Sequence, residues 1–281
     1  MSTPLLRRLR LPASRPSARF STSSPPPQTR RISFLAASVA AASVGLAGYA
    51  AGAVFPPPAT TVLFPRVAPP PLPESTPEGQ KHMQDLEDAM QRLPLLQQLR
   101  AAQDADEWYE ARPYLFFPEE RRVNNLTAGV LRGPGKLAVH ALVRARKDET
   151  ESYVILHVGR ALCGHDGIVH GGLLATLLDE SLARTAIMNL PERVGVTATL
   201  TVHYKAPVKA DQFIIIKTRA GEVNGRKAAV SGIVQDLEGK ELANASALFV
   251  QPRYAKLLDP DMLRKRMGEP TKKSGEPVTI D

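Results

Sequence analysis

Hydrophobic and polar positions change their period along the chain, and each period predicts a different element. Leu173 to Met188 contains no Gly or Pro and repeats apolar residues every four positions, which is helical spacing. Shorter apolar or alternating segments lie on both sides of it and predict strands: 126–131, 137–146, 151–158, 194–204, 213–222, 227–235 and 241–250. Strands before and after one long helix predict an α+β fold, in which an antiparallel sheet wraps around a central helix.

The chain before these strands begins with a segment typical of mitochondrial targeting, followed by an uncharged segment long enough to span a membrane. Residues 1–31 are rich in Arg and Ser, as mitochondrial targeting segments are; a disordered basic tail is the alternative. Residues 32–55 carry no charge and, as a helix, would be long enough to cross a bilayer core of about 30 Å. They predict a transmembrane helix, or a sorting segment removed from the mature protein. Flanking arginines put the N-terminus in the matrix and the folded part in the intermembrane space, anchored in the inner membrane.

Three further boundaries follow from composition. Residues 56–74 are rich in proline and predict a stiff, extended linker. Residues 75–107 predict an N-terminal helical segment with a possible capping box at Ser75, which packs either on the following domain or on a partner. The main domain covers 108–252, and residues 253–281 predict a short helix and a disordered tail.

Charge and cysteine content exclude several functional classes. The net charge is +8, and the eight arginines before Glu74 account for it, because that part has no lysine and no acid. The remainder is neutral, which favours targeting over nucleic-acid binding. Cys163 is the only cysteine, so an internal disulfide and a Cys-based metal site are excluded. The histidines lack metal-ligand spacing, and we predict no metal and no cofactor.

The two acids of the central helix have different neighbours. Glu180 precedes Arg184 by four residues, the order that favours a surface ion pair, so we predict that Glu180 is solvated. Asp179 has small and apolar residues three and four positions away and no base among them. A carboxylate there is unfavourable unless something uses it. Asp179 therefore either serves a reaction or lies at the helix edge in water.

The start of the helix supplies hydrogen-bond donors. The N–H groups of Gly171 and Gly172 are predicted to be free at the positive end of the helix dipole, where a substrate carbonyl can approach glycine closely. They form a candidate oxyanion hole. Gly171 and Asp179 are eight residues apart, about 12 Å along a helix, so one chain cannot direct both at one carbonyl. Two antiparallel helices across a two-fold axis can, which predicts a homodimer with two equivalent sites.

The motif over 167–179, Gly-Ile-Val-His-Gly-Gly followed by Leu-Leu-Ala-Thr-Leu-Leu-Asp, resembles the hotdog-fold acyl-CoA thioesterases. It is most similar to the phenylacetate-pathway type and the mitochondrial THEM-type branch, and the segment over 197–207 resembles the next strand of that branch. The similarity covers roughly Trp108 to Pro252. It implies a hotdog fold, a mitochondrial enzyme of lipid metabolism that hydrolyses acyl-CoA to free acid and CoA, and a homodimer or a dimer of dimers.

The resemblance also implies roles for individual residues. The Gly171 N–H and His170 polarise the thioester carbonyl, Asp179 activates water or attacks directly, and Thr197 positions that water. Further substrate contacts are predicted at three positions: Gly172, His165 and Lys205. For His165 and Lys205 a solvated surface position is the alternative. Some relatives carry an Asn where this chain has Gly164, so any polar help from that side chain is absent.

Two other functions stay open for this fold. A non-catalytic protein can bind acyl-CoA or serve as a scaffold, and a hydratase can use the same fold with an Asp-His pair arranged differently from Asp179. The presence of Asp179 and Thr197 favours the hydrolase. Cys163 lies beside the key turn, where a packed small residue is a better interpretation than a catalytic thiol.

Overall fold

The computed structural model describes residues 34–54 and 69–257, which belong to two separate units. In the first unit, α1 (Phe34–Val54) is a helix composed mainly of Ala, Gly and Ser. No helix within the described ranges is long and apolar enough to cross a membrane. The transmembrane helix predicted over 32–55, and with it the membrane partner, therefore lacks support; small side chains give this segment only modest apolar surface.

Several predictions fall outside the described residues and are not tested by them. They concern the targeting segment over 1–31, most of the proline-rich linker, and the tail from residue 258 onward.

The second unit is built on one antiparallel sheet of seven strands, in the order β1-β2-β3-β7-β8-β9-β6. The strands are β1 (Trp108–Ala111), β2 (Leu142–Arg146), β3 (Glu151–Val158), β6 (Val196–Tyr204), β7 (Gln212–Asn224), β8 (Lys227–Gln235) and β9 (Glu241–Val250). A separate two-stranded ribbon, β4 (Cys163–His165) with β5 (Ile168–Val169), leads into the longest helix of this unit. The helices are α2 (Pro77–Gln91), α3 (Pro94–Arg100), α4 (Glu119–Arg122) and α5 (Gly171–Met188).

Helix α5 forms the centre of the core. Its four-residue repeat buries Leu174, Leu178, Leu182 and Ala186 completely or nearly so, and the helix packs against strands β6, β7, β8 and β9. Gly232 of β8 faces Leu182 so closely that a Cβ there would lie 3.0 Å from the leucine Cδ2. The predicted arrangement of an antiparallel sheet around one long helix is confirmed, as the hotdog resemblance implies.

The N-terminal helices cover the opposite face of half of the sheet. Met90, Leu93 and Leu96 of this segment pack against apolar residues of β2, β3 and β7. Helix α2 begins after Thr76, whose side chain accepts a hydrogen bond from the Gly79 N–H, and not after Ser75. Of the two alternatives left by the sequence, packing on the domain is the one that the structure shows.

The strand predictions fail just ahead of β2. Residues 126–131 form a wide helical turn, Leu126–Val130, because the Asn125 side chain accepts a hydrogen bond from the Ala128 N–H and starts a helix-like path. Gly129 allows this turn to approach the Arg122 carbonyl, where a Cβ would collide at 1.9 Å. The predicted strand over 137–146 shortens to β2. Strand β1 was not among the strands that the sequence predicted.

Candidate active site

His170 caps the N-terminus of α5. This residue is the N-cap of the helix, and its Nδ1 accepts a hydrogen bond of 2.9 Å from the Gly172 N–H. A Cβ at Gly164 would lie 2.9 Å from the His170 ring, so the ring occupies the space that any side chain at position 164 would need. The glycine at position 164 is thus explained by the packing of the histidine.

This cap changes the predicted set of donors. The Gly172 N–H is engaged by His170 and is not free, contrary to the sequence-based prediction. The Gly171 N–H has no acceptor among the residues that the structure describes. Because Nδ1 accepts, a neutral His170 carries its proton on Nε2 and is a donor there. Gly171 N–H and His170 Nε2–H are therefore two available donors at the start of α5.

Tyr204 of β6 holds the first turn of α5 from the other side. Its hydroxyl donates a hydrogen bond of 2.8 Å to the Gly171 carbonyl oxygen. A Cβ built at Gly171 would lie 3.5 Å from the Tyr204 ring, an ordinary contact distance. The strand and the helix start are thereby tied together.

Asp179 lies in the middle of α5 and is partly buried. Its Oδ1 accepts a hydrogen bond of 2.8 Å from the Thr197 hydroxyl of β6. The register of β6 against β9 shifts between Thr197 and Thr199, so Ala198 is an extra residue in the strand. Such a bulge reverses the face on which following side chains lie. Leu200 and Val202 pack on the core, and the bulge brings Thr197 to that same side, towards the helix.

A cavity of about 360 Å³ opens beside this pair. Asp179 and Thr197 both line it, and most of its remaining wall is apolar: Leu137, Val139, Val143, Val154, Leu156, Leu177, Ile187 and Phe249. A volume of this size and an apolar lining with a few polar groups are typical of small-molecule sites. The arrangement suits an apolar chain whose reactive end reaches a carboxylate.

Glu180 is the main error among the predicted side-chain environments. It does not pair with Arg184: its two oxygens accept hydrogen bonds from the Tyr114 hydroxyl at 2.7 Å and from Thr127 at 3.3 Å. Glu180 lines the cavity, since the segment around residues 113–127 covers this face of α5. Tyr114 adopts a φ of 64°, which is unusual for a residue other than glycine. Local spacing along the helix cannot reveal partners that are more than fifty residues away.

Arg184 is instead almost fully buried and belongs to a separate cluster. It forms an ion pair with Glu149 at 3.3 Å and donates a hydrogen bond of 2.6 Å to the Tyr109 hydroxyl. Burial raises the pKa of Tyr109 to about 12. This phenol therefore stays neutral at physiological pH and links the helix to β1.

Besides Arg184, two basic side chains that the sequence did not single out line the cavity. Arg132 donates a hydrogen bond of 2.6 Å to the Val139 carbonyl oxygen. The His140 Nδ1 lies 3.2 Å from the Pro113 carbonyl oxygen. Burial, with the charge of Arg132 beside it, lowers the pKa of His140 to about 3, so the ring is neutral and Nδ1–H is the donor.

The predicted residues thus fall into two groups. Asp179 and Thr197 meet at the cavity, whereas the residues around the helix start do not line it: His165, His170, Gly171, Gly172 and Lys205. His165 and Lys205 are exposed. Eight residues of helix, about 12 Å, separate Gly171 from Asp179 within the chain. Within the described part of the chain, no group of three or more His, Cys, Asp or Glu residues could hold a metal ion.

The sequence profile of the Thioesterase superfamily matches residues 166–243, a range that includes His170, Asp179 and Thr197. The UPF0644 protein PB2B4.06 of Schizosaccharomyces pombe is 31% identical over 189 residues, which are 65% of this chain and 71% of that protein.

Two further relatives carry more descriptive names. The uncharacterized mitochondrial membrane protein FMP10 of Saccharomyces cerevisiae is 28% identical over 185 residues, 63% of this chain and 70% of that protein. The acyl-coenzyme A thioesterase THEM4 of Mus musculus is 33% identical over 116 residues, 41% of this chain and 46% of that protein. The similarity to the mouse protein therefore spans less than half of its length.

Proposed function

Because this chain belongs to the thioesterase superfamily, we propose that it hydrolyses acyl-CoA thioesters to a free acid and coenzyme A. The observation that carries this proposal is the Asp179–Thr197 pair at the edge of an apolar cavity. The apolar wall would accept an acyl chain, and the thioester carbonyl would then lie near the carboxylate. The similarity to a relative named as an acyl-coenzyme A thioesterase agrees with this substrate class.

Attack on the carbonyl carbon transfers negative charge to its oxygen, and the Gly171 N–H with His170 Nε2–H would receive that charge. Asp179 takes a proton from the attacking water, or attacks the carbon itself to give an anhydride that water then cleaves. The Thr197 hydroxyl holds Oδ1 and leaves Oδ2 for this task. The carbon–sulfur bond breaks, and the coenzyme A thiolate leaves and takes up a proton.

These groups act on one carbonyl only if two chains contribute. We propose a homodimer in which Gly171 of one chain faces Asp179 of the other across a two-fold axis. Strand β6 supports this, because it ends the sheet and only Leu200 and Val202 of its nine residues are partly buried. Val196 and Tyr204 are 50% and 55% exposed. A long exposed edge strand with apolar side chains is a surface that proteins usually cover.

We also propose that the protein resides in mitochondria. The Arg- and Ser-rich composition over 1–31 supports this, as does the similarity to the yeast protein named as mitochondrial. Fractionation of cells that express the full chain with a C-terminal tag tests it. Recovery of the tagged chain outside the mitochondrial fraction would exclude this location.

One observation favours a binding protein over an enzyme. The Gly172 N–H is engaged by His170, so the oxyanion site has fewer backbone donors than the sequence predicted. A protein of this kind would bind acyl-CoA and release no thiol.

Steady-state release of free thiol separates the two functions. The full chain and its Asp179→Asn variant are assayed with a panel of acyl-CoAs of increasing length. We expect turnover by the natural chain and a loss of at least ~10² in the variant, whose circular dichroism and melting temperature stay close to those of the natural chain. Near-normal hydrolysis by Asp179→Asn would remove the residue from its proposed role.

A further inference from the structure

The cavity has a second polar region that thioester hydrolysis does not use. Asp179 and Thr197 reach it from α5 and β6, whereas Arg132 and His140 reach it from the segment that precedes β2. In the order of the sheet, β2 and β6 are far apart, with four strands between them. The cavity is therefore lined at one part by Asp179 and Thr197, with the ion-paired Arg184 on the same helix as Asp179, and at another part by Arg132.

Arg132 differs from the three buried arginines among the described residues, one of which, Arg184, lines the same cavity. Each of those has a carboxylate partner: Arg112 with Glu87, Arg144 with Glu110, and Arg184 with Glu149. Arg132 forms no ion pair among the residues that the structure describes, and its one side-chain hydrogen bond goes to the Val139 carbonyl oxygen. A guanidinium has five N–H donors, so most of its hydrogen-bonding capacity is unused.

The surroundings of Arg132 are cationic. Arg122 and Arg112 lie near enough to lower its pKa, Glu74 opposes them, and burial is the largest cause of the lowering, to about 10. The side chain therefore remains charged at physiological pH. Holding an unpaired charge in a mostly apolar cavity is unfavourable unless a ligand of opposite sign completes it.

Glu180 is the carboxylate that could have neutralised this cation from within the cavity. Its two oxygens accept hydrogen bonds from Tyr114 and Thr127. The neutral His140 adds no competing charge, and its Nε2 is left as an acceptor. Among the described residues, the exposed Glu74 opposes the charge of Arg132 without forming an ion pair with it, which leaves an opening for an anion inside the cavity.

Building on the proposed hydrolase function, we propose that Arg132 binds a carboxylate at the distal end of the acyl group, so that the preferred substrates are ω-carboxyacyl-CoAs, the CoA monothioesters of dicarboxylic acids. The planar guanidinium matches a carboxylate through two parallel hydrogen bonds. The apolar residues between Arg132 and Asp179 would hold the methylene chain that joins the two ends of such a substrate. A methyl terminus would leave the cation without a partner.

The first experiment compares substrates of equal chain length. The ratio of kcat/KM for adipyl-CoA over hexanoyl-CoA, and for suberyl-CoA over octanoyl-CoA, is measured on the full chain. We expect at least one ratio to exceed ~10, and Arg132→Met to lower that ratio by ~10 to 100-fold, as for the loss of a charge-assisted hydrogen bond. Lys136→Met removes a nearby exposed charge outside the cavity and should leave the ratio unchanged. Ratios near one in the natural chain overturn the assignment.

A second variant covers the case in which Arg132→Met does not fold. Arg132→Lys keeps the charge and loses the two-pronged geometry, and it should lower the ratio by a smaller factor. A ratio that stays at the natural value in this folded variant would contradict direct recognition by the guanidinium.

A binding experiment separates this assignment from the hydrolase function. Calorimetry on the Asp179→Asn chain measures the Kd of adipyl-CoA and of hexanoyl-CoA with no turnover. Tighter binding of adipyl-CoA that disappears on adding Arg132→Met supports the anion site even if no thioester is cleaved by the natural chain. Equal affinities, together with efficient hydrolysis of hexanoyl-CoA by the natural chain, would leave the hydrolase standing and reject the anion site.

Discussion

The outer face of the sheet under α2 and the cavity beside α5 both place carboxylates among apolar side chains, but they give them different partners. Under α2, Glu87 and Glu110 each meet buried guanidinium groups, and these pairs join the N-terminal segment to the strands. In α5, Asp179 has one hydrogen-bond partner among the described residues, the hydroxyl of Thr197. A carboxylate paired with a buried arginine is held for structure, whereas one that lines a cavity without such a partner is available for chemistry.

The largest effect is expected when the buried ion pair between Arg112 and Glu87 is removed. Arg112 is fully buried, and its charge meets Glu87. Arg112→Met leaves that carboxylate buried without its cation, so the free energy of unfolding should fall by about 3–5 kcal/mol. Urea denaturation measures it.

Two controls sharpen this result. Lys81→Met removes an exposed ion pair with Asp85 and should change stability by less than about 1 kcal/mol. Combining Arg112→Met with Glu87→Gln should recover part of the loss, because the unpaired charge is then gone. A loss as small as that of Lys81→Met would mean that the buried pair does not hold α2.

The next largest effect is expected on kcat when the Gly171 N–H at the start of α5 is removed. Gly171 is the first helical residue, and His170 before it has a φ of −62° and a ψ of 130°, which proline allows in its predecessor. Gly171→Pro therefore removes the N–H with little disturbance of the helix and should lower kcat by ~10²–10³.

Gly171→Ala is its matched control. It keeps the N–H, and its Cβ would make an ordinary contact of 3.5 Å with Tyr204, so turnover should stay within about threefold of the natural chain. Equal kcat values for the proline and alanine variants would show that this N–H does not stabilise the transition state.

The positions of the helix and of several strands could be predicted from the sequence, but the partners of the side chains at the site could not. The period of apolar residues gave α5 and the full extent of β3, β8 and β9, because side-chain spacing alone decides which face is buried. It did not give the partners of Glu180, because Tyr114 and Thr127 come from a distant segment. Nor did it give the bulge at Ala198, since strand pairing and not composition places the extra residue.

A smaller effect on kcat is expected when Thr197, beside the bulge, loses its hydroxyl. Thr197→Val removes the hydroxyl that holds Asp179 and should lower kcat by ~10-fold, about the worth of one hydrogen bond to a charged group. Thr199→Val, on the other side of the bulge, is the control and should leave turnover unchanged. Equal losses in the two variants would show that Thr197 acts through the strand and not through the carboxylate.

The last effect concerns pH. The pKa of His140 falls to about 3 in the folded chain, against about 6.5 in the unfolded chain. Between these two pH values only the unfolded chain binds the proton. The contribution of His140 to the free energy of unfolding is therefore complete above pH 6.5 and is lost as the pH falls towards 3. For one proton, the free energy of unfolding changes by at most about 1.4 kcal/mol per pH unit.

Urea denaturation as a function of pH tests this. The slope below pH 6.5 should be smaller for His140→Gln than for the natural chain, whereas His203→Gln, on the exposed strand β6, should keep the natural slope. An unchanged slope in His140→Gln would mean that this ring is protonated in the folded chain as well.

The most direct test of a site shared between two chains uses two inactive variants together. Asp179→Asn and Gly171→Pro are coexpressed with different tags, and mixed dimers are isolated by two affinity steps and assayed for thiol release. In a mixed dimer, one site combines the intact Gly171 of the first chain with the intact Asp179 of the second. We predict about half of the natural turnover per dimer; mixed dimers as inactive as either parent would contradict a site built from two helices.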